Sequence, residues 1–250
     1  MVKKENNVNI SQNLINPVLE LFSNGEIDQA LSESMELKNN YPNDPLLLNI
    51  IGACHAAKKN YVDAIYFYKE ALSIDSLYSK AHYNLGGAFH ESGRLKEAVL
   101  SYEKAISIDS NSAEAFNNLG AVFVDLGDTK KASSSFKEAI KIQPNYLEAH
   151  LSLGIMYQNN DELTEAIIYF NEVIALDPNF YEIHNNLGVL YNELGQKNNA
   201  ESHFRQALSI NSNFAESCHN LGNILKDKSQ FHEAIKLYDK AIRLNPNYGA

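Results

Sequence analysis

The 250-residue sequence contains no tryptophan, two cysteines and six prolines. Cys54 and Cys218 lie far apart and have no partners at metal-ligand spacing, so each reads as a small buried hydrophobe of a reducing compartment. No window holds eighteen consecutive apolar residues, which excludes a membrane-spanning helix from the reading. The opening Met1-Val2-Lys3-Lys4-Glu5-Asn6-Asn7 leads into no apolar segment of the kind a secretory signal needs. Basic residues are in deficit, 21 against 31 acidic ones, for a net charge of −10. That balance disfavours a nucleic-acid partner, whose phosphates must be neutralised. These absences describe a soluble, acidic chain with the cytoplasm as its expected location. What is present is apolar material for a core: 44% hydrophobic residues, with 14 Tyr and 11 Phe.

That material recurs with a fixed period. Gly52, Gly86, Gly120, Gly154, Gly188 and Gly222 stand 34 residues apart, as do Ala30, Ala64, Ala98, Ala132, Ala166, Ala200 and Ala234. An aliphatic residue precedes each of those glycines, from Ile51 and Leu85 to Leu221. Tyr68, Tyr102, Phe136, Phe170, Phe204 and Tyr238 hold an aromatic register. The units are 11–44, 45–78, 79–112, 113–146, 147–180, 181–214 and 215–248, with no insertion between them. They are expected to form one domain, with residues 1–10 as an unstructured arm and 249–250 as a tail.

Each unit reads as two helices. Ala115, Leu119, Val122 and Phe123 follow the spacing of one helical face, and Gly127 ends it. Ala132, Phe136, Ala139 and Ile140 form a second face, stopped by Pro144-Asn145. A glycine inside a helix costs about 0.5–1 kcal/mol against alanine, so a glycine kept in register implies close approach of two helix backbones. Unit one departs, with Pro17 and Val18 in the leucine and glycine registers. There Asn16-Pro17 reads as an N-cap and first helical residue, giving a short first helix.

The run Leu119-Gly120, Phe123, Gly127, Ala132, Phe136, Ala139, Pro144 resembles the tetratricopeptide repeat signature, and the resemblance extends over residues 11–248. The usual tryptophan is replaced by Leu48, His82, Phe116, His150, His184 and Cys218. The resemblance implies an all-α fold, a right-handed α-solenoid (superhelix) of antiparallel helix pairs, with the first helices lining the concave side.

No converging catalytic group is found, and neither enzyme activity nor a cofactor is expected. His232-Glu233 lacks the second histidine of a zinc-protease motif, since Lys236 stands in its place. His82, His150 and His184 lie one or two repeats apart, on separate steps of a solenoid, and read as packing residues, with no metal site expected.

Function is therefore expected on the first helices. The register of Asn84, Asn118, Asn186 and Asn220 is similar to the asparagine ladder of O-linked N-acetylglucosamine transferases. A carboxamide offers both donor and acceptor and matches a peptide unit, although it also serves simply to solvate a groove. Tyr83, Asn117 and Asn185 lie beside that ladder as further groove candidates, and Leu151 and Ile155, with Val124 and Val189, as an apolar pocket or ordinary variation. Glu91, Asp125, Glu193 and Asp227 form an acidic register at the ends of the first helices. With few basic residues in the groove registers, a carboxylate clamp is not expected, and the partner is expected to be a neutral or basic polypeptide. Two other classes stand beside a peptide-binding scaffold. One is a substrate-recruiting arm of a larger enzyme (a glycosyltransferase, sulfotransferase or methyltransferase) truncated at residue 250. The other is a structural protein that associates end to end through an uncapped last repeat, where Ile235, Leu237, Tyr238 and Ile242 form an apolar face.

Overall fold

The computed structural model describes residues 10–246. Among them are fourteen helices and no strands. They come in pairs: α1 (Gln12–Ser23) with α2 (Ile27–Asn40), α3 (Pro45–Ala57) with α4 (Tyr61–Ile74), and α5 (Ser79–Glu91) with α6 (Leu95–Ile108). Then follow α7 (Ala113–Asp125) with α8 (Thr129–Ile142), α9 (Leu147–Asn159) with α10 (Leu163–Leu176), α11 (Tyr181–Glu193) with α12 (Lys197–Ile210), and α13 (Ala215–Asp227) with α14 (Phe231–Leu244). The chain divides into two compact units, one running to Pro144 and the other starting at Asn145. Each unit is an all-α solenoid of helix pairs.

The turn inside each pair is a Schellman motif. Gly127 N–H donates to the Val124 carbonyl and Asp128 N–H to the Phe123 carbonyl, both at 2.9 Å. The left-handed residue of this turn is glycine at Gly25, Gly93, Gly127 and Gly195, but Lys59, Asp161 and Ser229 adopt the same φ of about +60°. The second helices end in another recurring device. The side chains of Asp75, Asp109, Asp177 and Asn211 each accept from the backbone N–H two residues on, which turns the chain out of the helix.

The periodic glycines face rings rather than another backbone. A Cβ at Gly120 would lie 2.6 Å from the Phe136 ring, and one at Gly154 only 2.5 Å from Phe170. Every pair from the second to the seventh repeats this arrangement, the aromatic standing sixteen residues beyond its glycine. The close approach expected of two backbones is thus an approach of helix backbone to a buried aromatic face. The first pair inverts it: Val18 occupies the glycine register and Ser34 the aromatic one, and both are fully buried.

Two expectations for the first repeat are corrected. Helix α1 begins at Gln12 after Ser11, and Pro17 lies inside it. Burial of Ile15 and Val18 on one face of α1 holds the segment helical across the hydrogen bond that Pro17 cannot donate. The expected arm of residues 1–10 falls mostly outside the described residues, but Ile10 is buried. Its N–H donates to Asp44 Oδ2 at 2.8 Å, while Asp44 Oδ1 caps α3 by accepting from Leu47 N–H at 2.9 Å.

Candidate functional site

The first helices carry the candidate face. Asn84 on α5, Asn118 on α7, Asn186 on α11 and Asn220 on α13 are all half-buried at the same register. Three of them turn their amide donors toward the preceding repeat. Asn84 Nδ2 donates to Asn49 Oδ1 at 2.9 Å, Asn118 Nδ2 to the Tyr83 hydroxyl at 2.9 Å, and Asn220 Nδ2 to Asn185 Oδ1 at 3.2 Å. Each partner lies 35 residues earlier, so the bond stitches one first helix to the next. Asn186 makes no such bond, because the residue 35 before it is Leu151, which offers no side-chain acceptor.

Two of the neighbouring candidates, Asn117 and Asn185, are more interior than the ladder. Asn185 and its counterpart Asn49 are buried, and Asn185 Oδ1 also accepts from Ser217 Oγ at 2.9 Å. Asn117 is buried too. Its Nδ2 reaches Asn118 Oδ1 at 3.4 Å, and its own Oδ1 finds no partner among the described residues. Leu151 is half-buried and Ile155 exposed on α9, with Val189 half-buried on α11 in the same unit, whereas Val124 belongs to the other unit.

Two of the four acidic residues hydrogen-bond to the preceding repeat, Asp227 as an ion pair with Lys197. Asp125 accepts from His90 Nε2 and Asp227 from Lys197 Nζ, both at 2.6 Å. The Lys197 hydrogen bond, reinforced by its charge, lowers the pKa of the Asp227 carboxyl. Glu193 is exposed and holds no ion pair among the described residues. Among the described residues Glu91 has no cationic partner either and accepts from the Tyr61 hydroxyl, at 3.4 Å.

Beside Glu91, a cavity of about 240 Å³ opens on the first-helix face of the first unit. Its walls include Tyr61, Tyr83 and Tyr102, with Asn84 and Glu91 as the polar edge. Tyr83 and Tyr102 meet edge to face, with centroids 5.7 Å apart. Gly87 leaves the space open. A Cβ there would touch nothing nearer than the Tyr102 hydroxyl, at 3.5 Å.

The histidines at the tryptophan register serve packing. His184 Nε2 lies 3.3 Å from the Pro178 carbonyl, so it donates there. His184 Nδ1 is then the acceptor for His203 Nδ1–H, also at 3.3 Å. Tyr191 stacks on His203, and one repeat earlier Tyr157 stacks on Tyr169 beside His150. Among the described residues, no group of three or more His, Cys, Asp or Glu side chains is placed to hold a metal ion. None of the helices is long and apolar enough to cross a membrane.

Family comparisons agree with this geometry. A model of the TPR repeat matches residues 86–127, and two models of the tetratricopeptide repeat match 113–146, 181–214 and 215–248, and 147–180, so that 86–248 is covered throughout. The chain belongs to the tetratricopeptide repeat family. Among solved structures, this tetratricopeptide repeat protein is similar to YrrB, described as a TPR protein with an unusual peptide-binding site. The two share 25% identity at a TM-score of 0.61, over 74% of this chain and 96% of that one. It also resembles the C-terminal part of a TPR repeat-containing protein from Cytophaga hutchinsonii, at 16% identity and TM-score 0.79, over 94% and 96% of the two chains. MamA matches at 24% identity and TM-score 0.59, over 64% of this chain and 93% of its own. The last two likenesses concern the fold alone. No curated protein matches the chain.

The sequence reading missed Asn49, Tyr61 and the bonds between repeats. Their signal was present as a second spacing of 35 residues, which joins Asn49 to Asn84 and Asn185 to Asn220.

Proposed function

We propose that this protein is a non-catalytic interaction scaffold that binds an extended polypeptide along the first-helix faces of its repeats. The observation that carries this reading is the half-buried asparagine ladder, three of whose four members are held by a bond to the preceding repeat. Asn84 and Asn220 each donate one amide hydrogen to that repeat, and among the described residues their Oδ1 atoms accept no hydrogen bond. Carboxamides held in this way suit the backbone N–H and C=O groups of an extended chain. The likeness to YrrB, whose description names a peptide-binding site, supports the same use of the fold. The net charge of −10 and the acidic register favour a neutral or basic partner.

Asn186 is the cleanest probe, because its side chain holds no hydrogen bond among the described residues. Peptides selected from a random displayed library are expected to bind Asn186→Ala at least about threefold more weakly, the loss of one neutral hydrogen bond. Failure of a diverse library to yield any binder, or equal binding by the variant of every selected peptide, overturns the reading.

A further inference from the structure

The cavity beside Glu91 has a polarity of its own. Each of three donors around it already makes one bond: the Asn84 amide to Asn49, the Asn118 amide to Tyr83, and the Tyr61 hydroxyl to Glu91. The charged group at its edge is a carboxylate, and what surrounds it is tyrosine rings. Glu91 is exposed, and among the described residues it has no cationic partner and Asn84 Oδ1 accepts no hydrogen bond. Tyr68 also lines the cavity. It is only 2% exposed. In the middle repeats this register holds Phe136, Phe170 and Phe204, so a hydroxyl is not needed to pack the ring against its glycine.

A site with one carboxylate lacking a cation and several tyrosine faces favours a cationic group. Side chains with that character are the ammonium of lysine and the guanidinium of arginine. Their aliphatic stems fit along tyrosine rings while the charge lies over a ring face and near the carboxylate. An anionic group would face Glu91, and a purely apolar one would leave its carboxylate without a cation. We infer that this cavity is a receptor for one basic side chain, lysine or arginine, of the bound polypeptide. The inference deepens the scaffold reading by fixing one position of the partner, and it rests on that reading only for the claim that the side chain arrives on a peptide.

The test separates the two. Aromatic NMR spectra of the full chain are recorded during titration with N-acetyl-lysine methylamide and N-acetyl-arginine methylamide, with N-acetyl-citrulline methylamide as the uncharged control. At least one basic probe should shift the Tyr68 and Tyr102 ring signals saturably, with citrulline weaker. Glu91→Gln should weaken that binding roughly three- to fivefold, as expected for an exposed ion pair. Gly87→Ile, which introduces the residue found at this register as Ile155, should abolish it while the circular dichroism spectrum stays helical. Equal shifts by citrulline and the basic probes, no shift by any probe, or unaltered binding in both variants overturns the inference. If the basic probes bind but no library peptide does, the cavity stands and the scaffold reading falls. If peptides bind with no preference for a basic residue and the probes do not shift the tyrosines, the scaffold stands and the cavity inference falls.

Discussion

The unit ending at Pro144 and the unit beginning at Asn145 use one repeat with different side-chain chemistry. The first places Tyr68, Tyr102 and Phe136 under its glycines, keeps Gly87 open, and bonds its ladder asparagines to Asn49 and Tyr83. In the second, Phe170, Phe204 and Tyr238 take the ring positions, and Ile155 and Val189 take the register of Gly87. Leu151 leaves Asn186 without a bond. The second unit's cavity, about 330 Å³, is lined instead from α12, α13 and α14, where Cys218 stands at the tryptophan register and Leu237 follows. Identical backbone registers thus give the first unit a tyrosine-lined cavity beside Glu91 and the second a cavity bordered by Arg205, Glu233 and Lys240. The shared frame fixes where side chains stand, and substitutions within it decide what they can hold.

The largest test of the shared frame is the glycine–ring contact. Gly154→Ala would set a methyl 2.5 Å from the Phe170 ring, and Gly86→Ala 2.9 Å from Tyr102. Overpacking costs about 1–3 kcal/mol, against a gain of about 0.5–1 kcal/mol from alanine's helix preference. Both variants should lower the urea midpoint, Gly154→Ala more. Stabilisation by Gly154→Ala would show that the ring gives way freely and that the register is not a packing constraint.

Next comes the ladder. Asn84→Ala leaves the buried Asn49 Oδ1 without its donor, at a cost of about 1–2 kcal/mol, whereas Asn186→Ala should be neutral within about 0.5 kcal/mol. Equal losses in urea unfolding would erase this difference between the units.

The turns give a smaller effect of opposite sign. Ser229→Gly and Asp161→Gly relieve left-handed backbone in the second unit, as Lys59→Gly does in the first, and each should raise stability by about 0.5–1 kcal/mol. Thermal melts that move down instead would mean that these side chains hold the turn.

The smallest effect is set by pH and belongs to the second unit. Burial lowers the pKa of His184, although the hydrogen bond to Pro178 opposes it. Burial also lowers that of His203, and the neighbouring His184 adds to the shift. The unfolded chain, with histidine near its ordinary value of about 6.5, therefore binds more protons than the folded one as the pH falls through that value. Stability should be fully present above that pH and decline below it. His203→Tyr, which introduces the residue found at this register as Tyr169, should flatten the decline when melting at pH 7.5 and 5.5 is compared. An unchanged slope would place the acid sensitivity elsewhere.

Much of this was legible in the sequence because a solenoid repeats its local environment every 34 residues. Gly120 and Phe136 recur together because each pair must solve the same packing problem, and a solution repeated in register is visible without coordinates. Pro17 was misread for the converse reason. Its preference for the first helical turn is local, whereas α1 is held by the burial of Ile15 and Val18, which depends on what packs against it. The exchange of Val18 for Gly and Ser34 for an aromatic was present as two separate departures, but their relation is one of volume and appears only when both side chains are seen buried.

The sequence by itself therefore determined the helix pairs, their period and their family, since these follow from short-range spacing of small and large residues. Only the tertiary structure decided the division into two units, the inward turn of Asn117 and Asn185, and the gathering of Glu91 with four tyrosines around Gly87. Which side-chain donors are already occupied depends on neighbours 30 to 35 residues away, and no single position in the chain records that.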